Sequence, residues 1–453
     1  MTSASWRCIM SFWIDFGFSG NPYATAPIPP TEQGKKLLVG RDREVESLIS
    51  RLRSSARHPT IEGNFGVGKT SMISVACYQL QRDFELGRAG RSPLIPLREP
   101  FQLTKHQTIE DFHNDLFCKV AEAFRENRHR LEATGRRVPR NKDIDRWINQ
   151  AIYGSRTIGV TSPLGGATVA RGSAPTSSPV YERYGFPRAM KELLKSCFPG
   201  QEYGGFVGVV DNLELMRTSE NVREIMEVMR DTVFSQAGLR WIFCGAQGSV
   251  RSAAATPRLR GHLASPVEVN PISDDLMGDV IDRRIEAYKI KSDPIIPVGP
   301  GGFWLLYDIF DRNLRIALSF AEEFAFFLYE QNGKSANSED FGLLETWLAE
   351  TADRDCEAAD QRLGPREWTT FDYLTLREGT CRPCNDFAEF EFHSASEMRS
   401  TIKFLKDANL VSYETDEMDK RRKVVHFTPT GWLVAYVRAG YSPPNYLLEH
   451  SHS

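Results

Sequence analysis

No apolar stretch in this 453-residue chain approaches the ~20 residues needed to cross a bilayer. No membrane-spanning helix is expected. Residues 1–20 lack a basic start followed by a clean apolar run, so no secretory leader is expected either. Cysteine is sparse, and the eight that occur are scattered, several of them inside apolar runs. That usage predicts reduced thiols in a cytoplasmic protein and argues against a disulfide framework. Only Cys381-Arg382-Pro383-Cys384 has metal-ligand spacing. A tetrahedral zinc site needs two further ligands; no second C-x-x-C exists, and His393 and His426 stand at no familiar spacing. The segment reads as a loop with two free thiols. An excess of one charge is also missing, with 56 Lys and Arg against 59 Asp and Glu. A net charge of −3 gives no global pull toward nucleic acid and leaves room only for a local patch. Internal repeats and long low-complexity segments are missing too.

What is present is a glycine-rich octet, Gly63-Asn64-Phe65-Gly66-Val67-Gly68-Lys69-Thr70. It fits G-x-x-x-x-G-K-[ST] at every fixed position. Binding a polyphosphate needs several donors pointing inward at once. Glycines let the backbone curl so that successive N–H groups face one centre, with no Cβ in the way. Lys69 is then expected to reach the β- and γ-phosphates of ATP, and the Thr70 hydroxyl to hold Mg2+. The flanks agree. Pro59-Thr60-Ile61 is a short extended stretch, and Ser71 to Leu80 reads as a buried helix. The N-terminus of that helix adds donors and partial positive charge.

The rest of the chain alternates strands with helices. Val45, Leu48, Ile49 and Leu52 fall at helical spacing, as do Phe112, Leu116, Val120 and Phe124 within a helix over Thr108–Arg128. Pro93–Leu97 reads as a strand. Phe206–Val210 and Trp241–Phe243 are continuous apolar strands, the mark of a parallel sheet covered on both faces. A helix starts with its proline at Pro187 and ends at Phe198. Residues 157–173 look like an inserted hairpin around Pro163-Leu164-Gly165-Gly166. From about Ser273 the pattern turns helical: a loop over 289–302, an apolar helical stretch over Phe303–Gln331 and an acidic amphipathic helix over Phe341–Leu363. The segment 1–35 is rich in large aromatics (Trp6, Phe12, Trp13, Phe16, Phe18) and is expected to pack on the body. The division predicted is 1–35, a core over 36–272, a helical segment over 273–363 and a small domain over 364–453.

Hydrolysis needs a magnesium-orienting carboxylate and a group that positions water. Asp211 ends the apolar strand Phe206–Val210 and supplies the first, or else caps the following helix. Asn212 stands next, where many ATPases carry Glu. Glu214 is the nearest following acid, either water-positioning or an exposed glutamate at a helix start.

With these motifs in place the chain resembles the AAA+ and STAND ATPases, most closely the origin-recognition-type initiator ATPases. The resemblance runs over roughly residues 37–330. Gly40-Arg41-Asp42-Arg43-Glu44 resembles the motif at which those chains pass the adenine. Gly63–Thr70, with Ser71 after it, matches Walker A, and Val209–Glu214 resembles Walker B in its STAND form. Trp241–Gln247 falls at the sensor-1 strand, which implies Gln247 as its polar residue. Arg258 and Arg260 fall where an arginine finger sits. Asp311-Arg312-Asn313-Leu314-Arg315 resembles the Gly-Asn-x-Arg sensor-2 motif, with Arg312 in place of glycine. The resemblance implies that Arg315 contacts the γ-phosphate.

The order helix (from Ser394), strand (Leu410–Tyr413), charged turn, strand (Lys423–Phe427) and last helix resembles a winged helix. Its candidate DNA contacts are Arg399, Lys403, Lys420, Arg421, Arg422 and Lys423, interleaved with Glu397, Asp407, Glu414, Asp416, Glu417 and Asp419. The fold class expected is therefore α/β: a P-loop NTPase parallel sheet with helices on both faces, then a helical lid and a C-terminal winged helix. Two functions fit. One is an ATP-hydrolysing switch acting on double-stranded DNA, with self-assembly or a protein partner. The other is a slowly hydrolysing, nucleotide-gated protein-interaction scaffold, which the Asn after Asp211 favours.

Overall fold

The computed structural model describes residues 12–54, 56–103, 108–145, 185–213, 219–332, 340–415 and 423–440. The chain forms two compact units. One comprises Glu46–Glu62 and Ala76–Val267; the other comprises Met1–Val45, Gly63–Val75 and Glu268–Ser453.

The first unit is built on a parallel sheet with helices on its faces. Its strands are β1 (Thr60–Glu62), β2 (Leu94–Pro96), β3 (Phe101–Gln102), β4 (Gly205–Asp211), β5 (Leu239–Gly245) and β6 (Val267–Glu268). They run in the order β2-β4-β5-β1-β6, with β3 also on β4. The pairs β1–β5, β2–β4, β3–β4 and β4–β5 are all parallel. β4 and β5 are buried along their whole length. That is why they read as unbroken apolar runs and not as an alternation. The helix Ile109–Ala133 starts at Thr108 with a reciprocal capping box to Asp111. Trp241 on β5 is fully buried, stacked near Phe243 and ringed by Phe101 and Phe112. Glycine at 208 makes room for it: a Cβ there would lie 2.5 Å from the indole.

A buried histidine also belongs to this core. His58 Nδ1 accepts the Trp241 backbone N–H at 3.3 Å, and Nε2 lies 3.2 Å from the Phe234 carbonyl, to which it donates. A second ring proton would point at another N–H. Burial first, and then the nearby Arg240 charge, hold its pKa down to about 3. The native state therefore keeps this ring neutral while the unfolded chain protonates it below about 6.5. Stability from this group is whole above about pH 6.5 and drains as the pH falls toward 3, at no more than ~1.4 kcal/mol per pH unit. Denaturant titrations at pH 7 and pH 5 would show that loss in the wild type and a flatter dependence in His58→Gln. Equal slopes in both proteins would sink the assignment.

The second unit contains the helical lid and the winged helix. Residues 12–16 are helical and aromatic. Phe12 stacks on Phe326 at 4.5 Å, and Tyr329 donates to Asp15 at 3.0 Å. Tyr23 Oη donates to the Val298 carbonyl at 2.9 Å and accepts its N–H. The aromatic segment is thus part of the lid core. Trp6 and the expected hairpin at 157–173 lie outside the described residues.

The apolar stretch expected as one run over Phe303–Gln331 is two helices, Pro300–Ile309 and Leu314–Asn332. The break lies at Asp311 and Arg312, both left-handed (φ 49° and 56°). Neither residue favours that region as glycine does. The Arg312 guanidinium makes two bonds to Asp274, at 3.0 and 2.9 Å, which hold the turn.

The helix Pro365–Leu376, β7 (Thr380–Cys381), the short helix Pro383–Asp386, the helix Ala395–Asp407, β8 (Val411–Thr415), β9 (Lys423–Phe427) and the helix Pro429–Arg438 form the winged helix. Its sheet runs β7-β9-β8 and is antiparallel. The helix Pro429–Arg438 packs on Phe341–Asp360 and on Pro300–Ile309. Its Leu433 lies in the lid core.

Candidate functional site

The glycine loop follows β1 in sequence and leads into the helix Lys69–Glu85, which has no acid in its first turn. Gly66 and Gly68 are left-handed (φ 83° and 95°). A Cβ on Gly66 would strike Asn313 Oδ1 at 2.1 Å, and one on Gly63 the Val269 carbonyl at 2.4 Å. Those glycines are needed both for the backbone's hand and for the approach of its neighbours. Lys69 is buried, and its ammonium donates to the carbonyls of Gly63 (2.8 Å) and Asn64 (3.0 Å).

Three residues outside the loop hold it. Arg41 is buried and donates to the Val67 carbonyl at 3.0 Å, to the Asn270 carbonyl and to Glu44 at 3.0 Å. Gly40 before it is left-handed (φ 67°), and a Cβ there would lie 2.8 Å from Leu276. Asn313 donates from Nδ2 to the Phe65 carbonyl at 3.1 Å, while its Oδ1 accepts the Ile316 N–H at 3.3 Å. One side chain thus caps a lid helix and grips the loop. Arg315, one residue past the first turn's start, lays its guanidinium 4.7 Å from the centre of the Phe65 ring. Phe65 is 62% exposed. Ser71 Oγ accepts the Ile28 N–H at 3.1 Å and so ties the N-terminal segment to the helix that bears Lys69. This unit therefore brings Gly40, Arg41, Gly63–Thr70, Ser71, Asn313 and Arg315 together.

Asp211, Gln247, Arg258 and Arg260 belong to the sheet unit. Asp211 ends β4, is buried, and accepts the N–H of the left-handed Asn212 at 2.9 Å. Gln247 is exposed in the turn after β5. Arg258 pairs with Glu227 at 3.0 Å, and Arg260 is exposed. Glu214 lies outside the described residues, as do Lys420, Arg421 and Arg422. Arg399 and Lys403 are exposed on the helix Ala395–Asp407, and Lys423 is exposed at the start of β9.

No protein-family model matches the chain, and no curated protein matches it. Solved structures do. A Walker-type ATPase of Pyrococcus abyssi is 16% identical at a TM-score of 0.45, covering 91% of this chain and 99% of its own. The ORC2 protein of Aeropyrum pernix is 12% identical at a TM-score of 0.44, covering 95% and 98%. The ORC1 protein of the same organism, solved in complex with DNA, is 13% identical at a TM-score of 0.40, covering 93% and 97%.

Asn313 stands inside the sensor-2 resemblance, but its bond to the Phe65 carbonyl of a distant loop is not readable from that motif. One residue beside the loop falls in none of the motifs. Glu62 is fully buried at the end of β1, accepts the Arg251 N–H, and pairs with the Arg251 side chain at 3.3 Å. A charged residue standing directly before a glycine loop was the available clue. Among the described residues no group of three or more His, Cys, Asp or Glu is placed to hold a metal. Cys381 is buried and its thiol is pushed up to about 12 by that burial. No helix among the described residues is long and apolar enough to cross a membrane.

Proposed function

We propose that the chain is an ATP-binding and ATP-hydrolysing switch that couples its nucleotide state to binding of double-stranded DNA. The observation that carries this reading is the left-handed glycine loop joined to the lid by Asn313 and Arg315. The loop fits a polyphosphate: Gly66 and Gly68 are left-handed, a Cβ on Gly68 would meet nothing within 4 Å, and a buried ammonium stands at the first turn of a long helix. ATP, when bound, supplies the phosphoanhydride, and Mg2+ the neutralising charge.

The chain's own residues do the rest. Backbone N–H groups of residues 63–70 orient the phosphates, and Lys69 exchanges loop carbonyls for phosphate oxygens. Thr70 is proposed to hold the metal ion, and Asp211, at the carboxyl end of β4, to orient it. Arg315 leaves the Phe65 ring for the γ-phosphate, which is how the lid registers that phosphate. Asn313 transmits any shift of the loop to the helix Leu314–Asn332. From the lid core, the helix Pro429–Arg438 carries it into the winged helix. Arg399, Lys403 and Lys423 are proposed to meet DNA phosphates. Glu214 is proposed to position the water, and Arg258 or Arg260 to serve a neighbouring copy.

Asn212, with no acid directly after Asp211, favours the second reading of a slowly hydrolysing scaffold. ATP turnover with and without a random-sequence duplex separates the two. The switch predicts stimulation by the duplex that fades steeply with added salt, because phosphate contacts release counterions. Tight ATP binding with no turnover, indifferent to duplex, would overturn it in favour of the scaffold.

A further inference from the structure

The winged helix holds a recess of 490 Å³ whose lining, among the described residues, includes four cations, Arg399, Lys403, Lys406 and Lys423, and one carboxylate, Asp407. That volume lies within the ~300–1,000 Å³ range of small-molecule sites. Three elements converge on it: the helix Ala395–Asp407 gives three of the cations, β9 gives Lys423, and β8 gives the ring of Tyr413. The recess is therefore framed by packed secondary structure.

Like charges gathered in a recess repel one another. Here none of the four pairs with a described carboxylate. Arg399 donates to Cys384 Sγ at 2.9 Å, and thiol sulfur is a weak acceptor. The ammoniums of Lys406 and Lys423 lie 5.3 and 5.1 Å from the centre of the Tyr413 ring. The sulfur takes one of the five guanidinium donors, and the π face takes none from the two lysines. They stay available to phosphate oxygens, and Arg399 can offer a two-pronged contact. Asp407 accepts hydrogen bonds, which suits a ligand that carries a hydroxyl beside its phosphates. Arg399, Lys403 and Lys423 are also the cations proposed above to meet DNA phosphates, so a compact ligand in the recess would compete with duplex for them.

We infer that this recess binds a small phosphate ester of nucleotide or sugar-phosphate size, at a site separate from the glycine loop. The test uses full-length protein carrying Lys69→Ala, so that the loop contributes little, with ADP as the probe. Calorimetric titration should give saturable binding, weakened at least tenfold by adding Arg399→Gln and Lys406→Gln. Binding that is absent, or that survives the added pair unchanged, overturns the proposal. A second measurement needs no change in the recess. ADP should slow iodoacetamide alkylation of Cys384 while leaving Cys356 unaffected, read by peptide mass spectrometry. Protection of Cys384 by duplex DNA and not by ADP overturns the proposal and returns these cations to the DNA surface. Nucleotide binding at the glycine loop is measured separately in protein with Lys69 intact, so either idea can fail without the other.

Discussion

Lys69→Ala should cut ATP turnover by at least ~100-fold, the scale on which one aimed donor supports a developing charge. The lysine is buried at the loop's mouth, and its two bonds run to carbonyls of the same loop. Those carbonyls are neutral partners for a full charge. On the proposed reading the position serves the ligand more than the fold, because a phosphate oxygen makes a stronger, charge-assisted partner. Removing the side chain forfeits two hydrogen bonds of ~1 kcal/mol each, but it also relieves a buried ammonium. Thermal unfolding should accordingly move little while turnover collapses. Lys69→Arg should not rescue, because a planar fork does not fit where a compact ammonium sits between two carbonyls. Turnover within a few-fold of wild type in the alanine protein would remove the phosphate-loop reading altogether.

Trp241→Ala should destabilise the sheet unit by ~3–5 kcal/mol, the cost of emptying a large aromatic from a core. The ring is fully buried, has Phe101 and Phe112 within 5.8 Å of its centre, and stacks near Phe243. Its indole N–H is buried with no hydrogen-bond partner among the described residues, so part of its contribution is already offset. Trp241→Phe should for that reason cost far less, on the order of 1 kcal/mol, since it keeps an aromatic and retires the stranded donor. Gly208→Ala pushes a methyl into the same ring, so combining it with Trp241→Ala should cost less than the two costs summed. Denaturant unfolding at neutral pH measures all four proteins. A loss under ~1 kcal/mol for the alanine variant would contradict the packing described.

The parts legible in the sequence were those written in local pattern. β4 and β5 were readable because burial on both faces leaves no polar alternation to confuse them. The winged helix was readable because Ser394 caps its helix and charged turn residues split its hairpin. The two-residue strands β3 and β7 were not: Phe101–Gln102 and Thr380–Cys381 carry no period, and only their neighbours make them strands. The turn at Asp311 and Arg312 was hidden for a related reason. Nothing local marks a left-handed arginine; its Asp274 partner is brought there by the fold. At the loop, the glycines and Lys69 were visible as a motif, and the clamps Arg41 and Asn313 were visible only as letters within longer matches. Their bonds run across more than twenty residues in one case and more than two hundred in the other, and no window of sequence spans that.

The lid core sets a schedule for synthesis. Among the described residues the apolar core of the sheet unit draws on Phe84 to Leu263, so it can close once that stretch has left the ribosome. The lid core opens with Phe12 and is completed by Leu433. At ~5–20 residues per second, roughly ten to thirty seconds separate the two events. Through that interval the rings of Phe12, Trp13, Phe16 and Phe18 have no finished surface to bury against. A ribosome stalled near residue 300 should therefore present a finished sheet beside bare aromatics, a natural substrate for a chaperone that holds apolar segments.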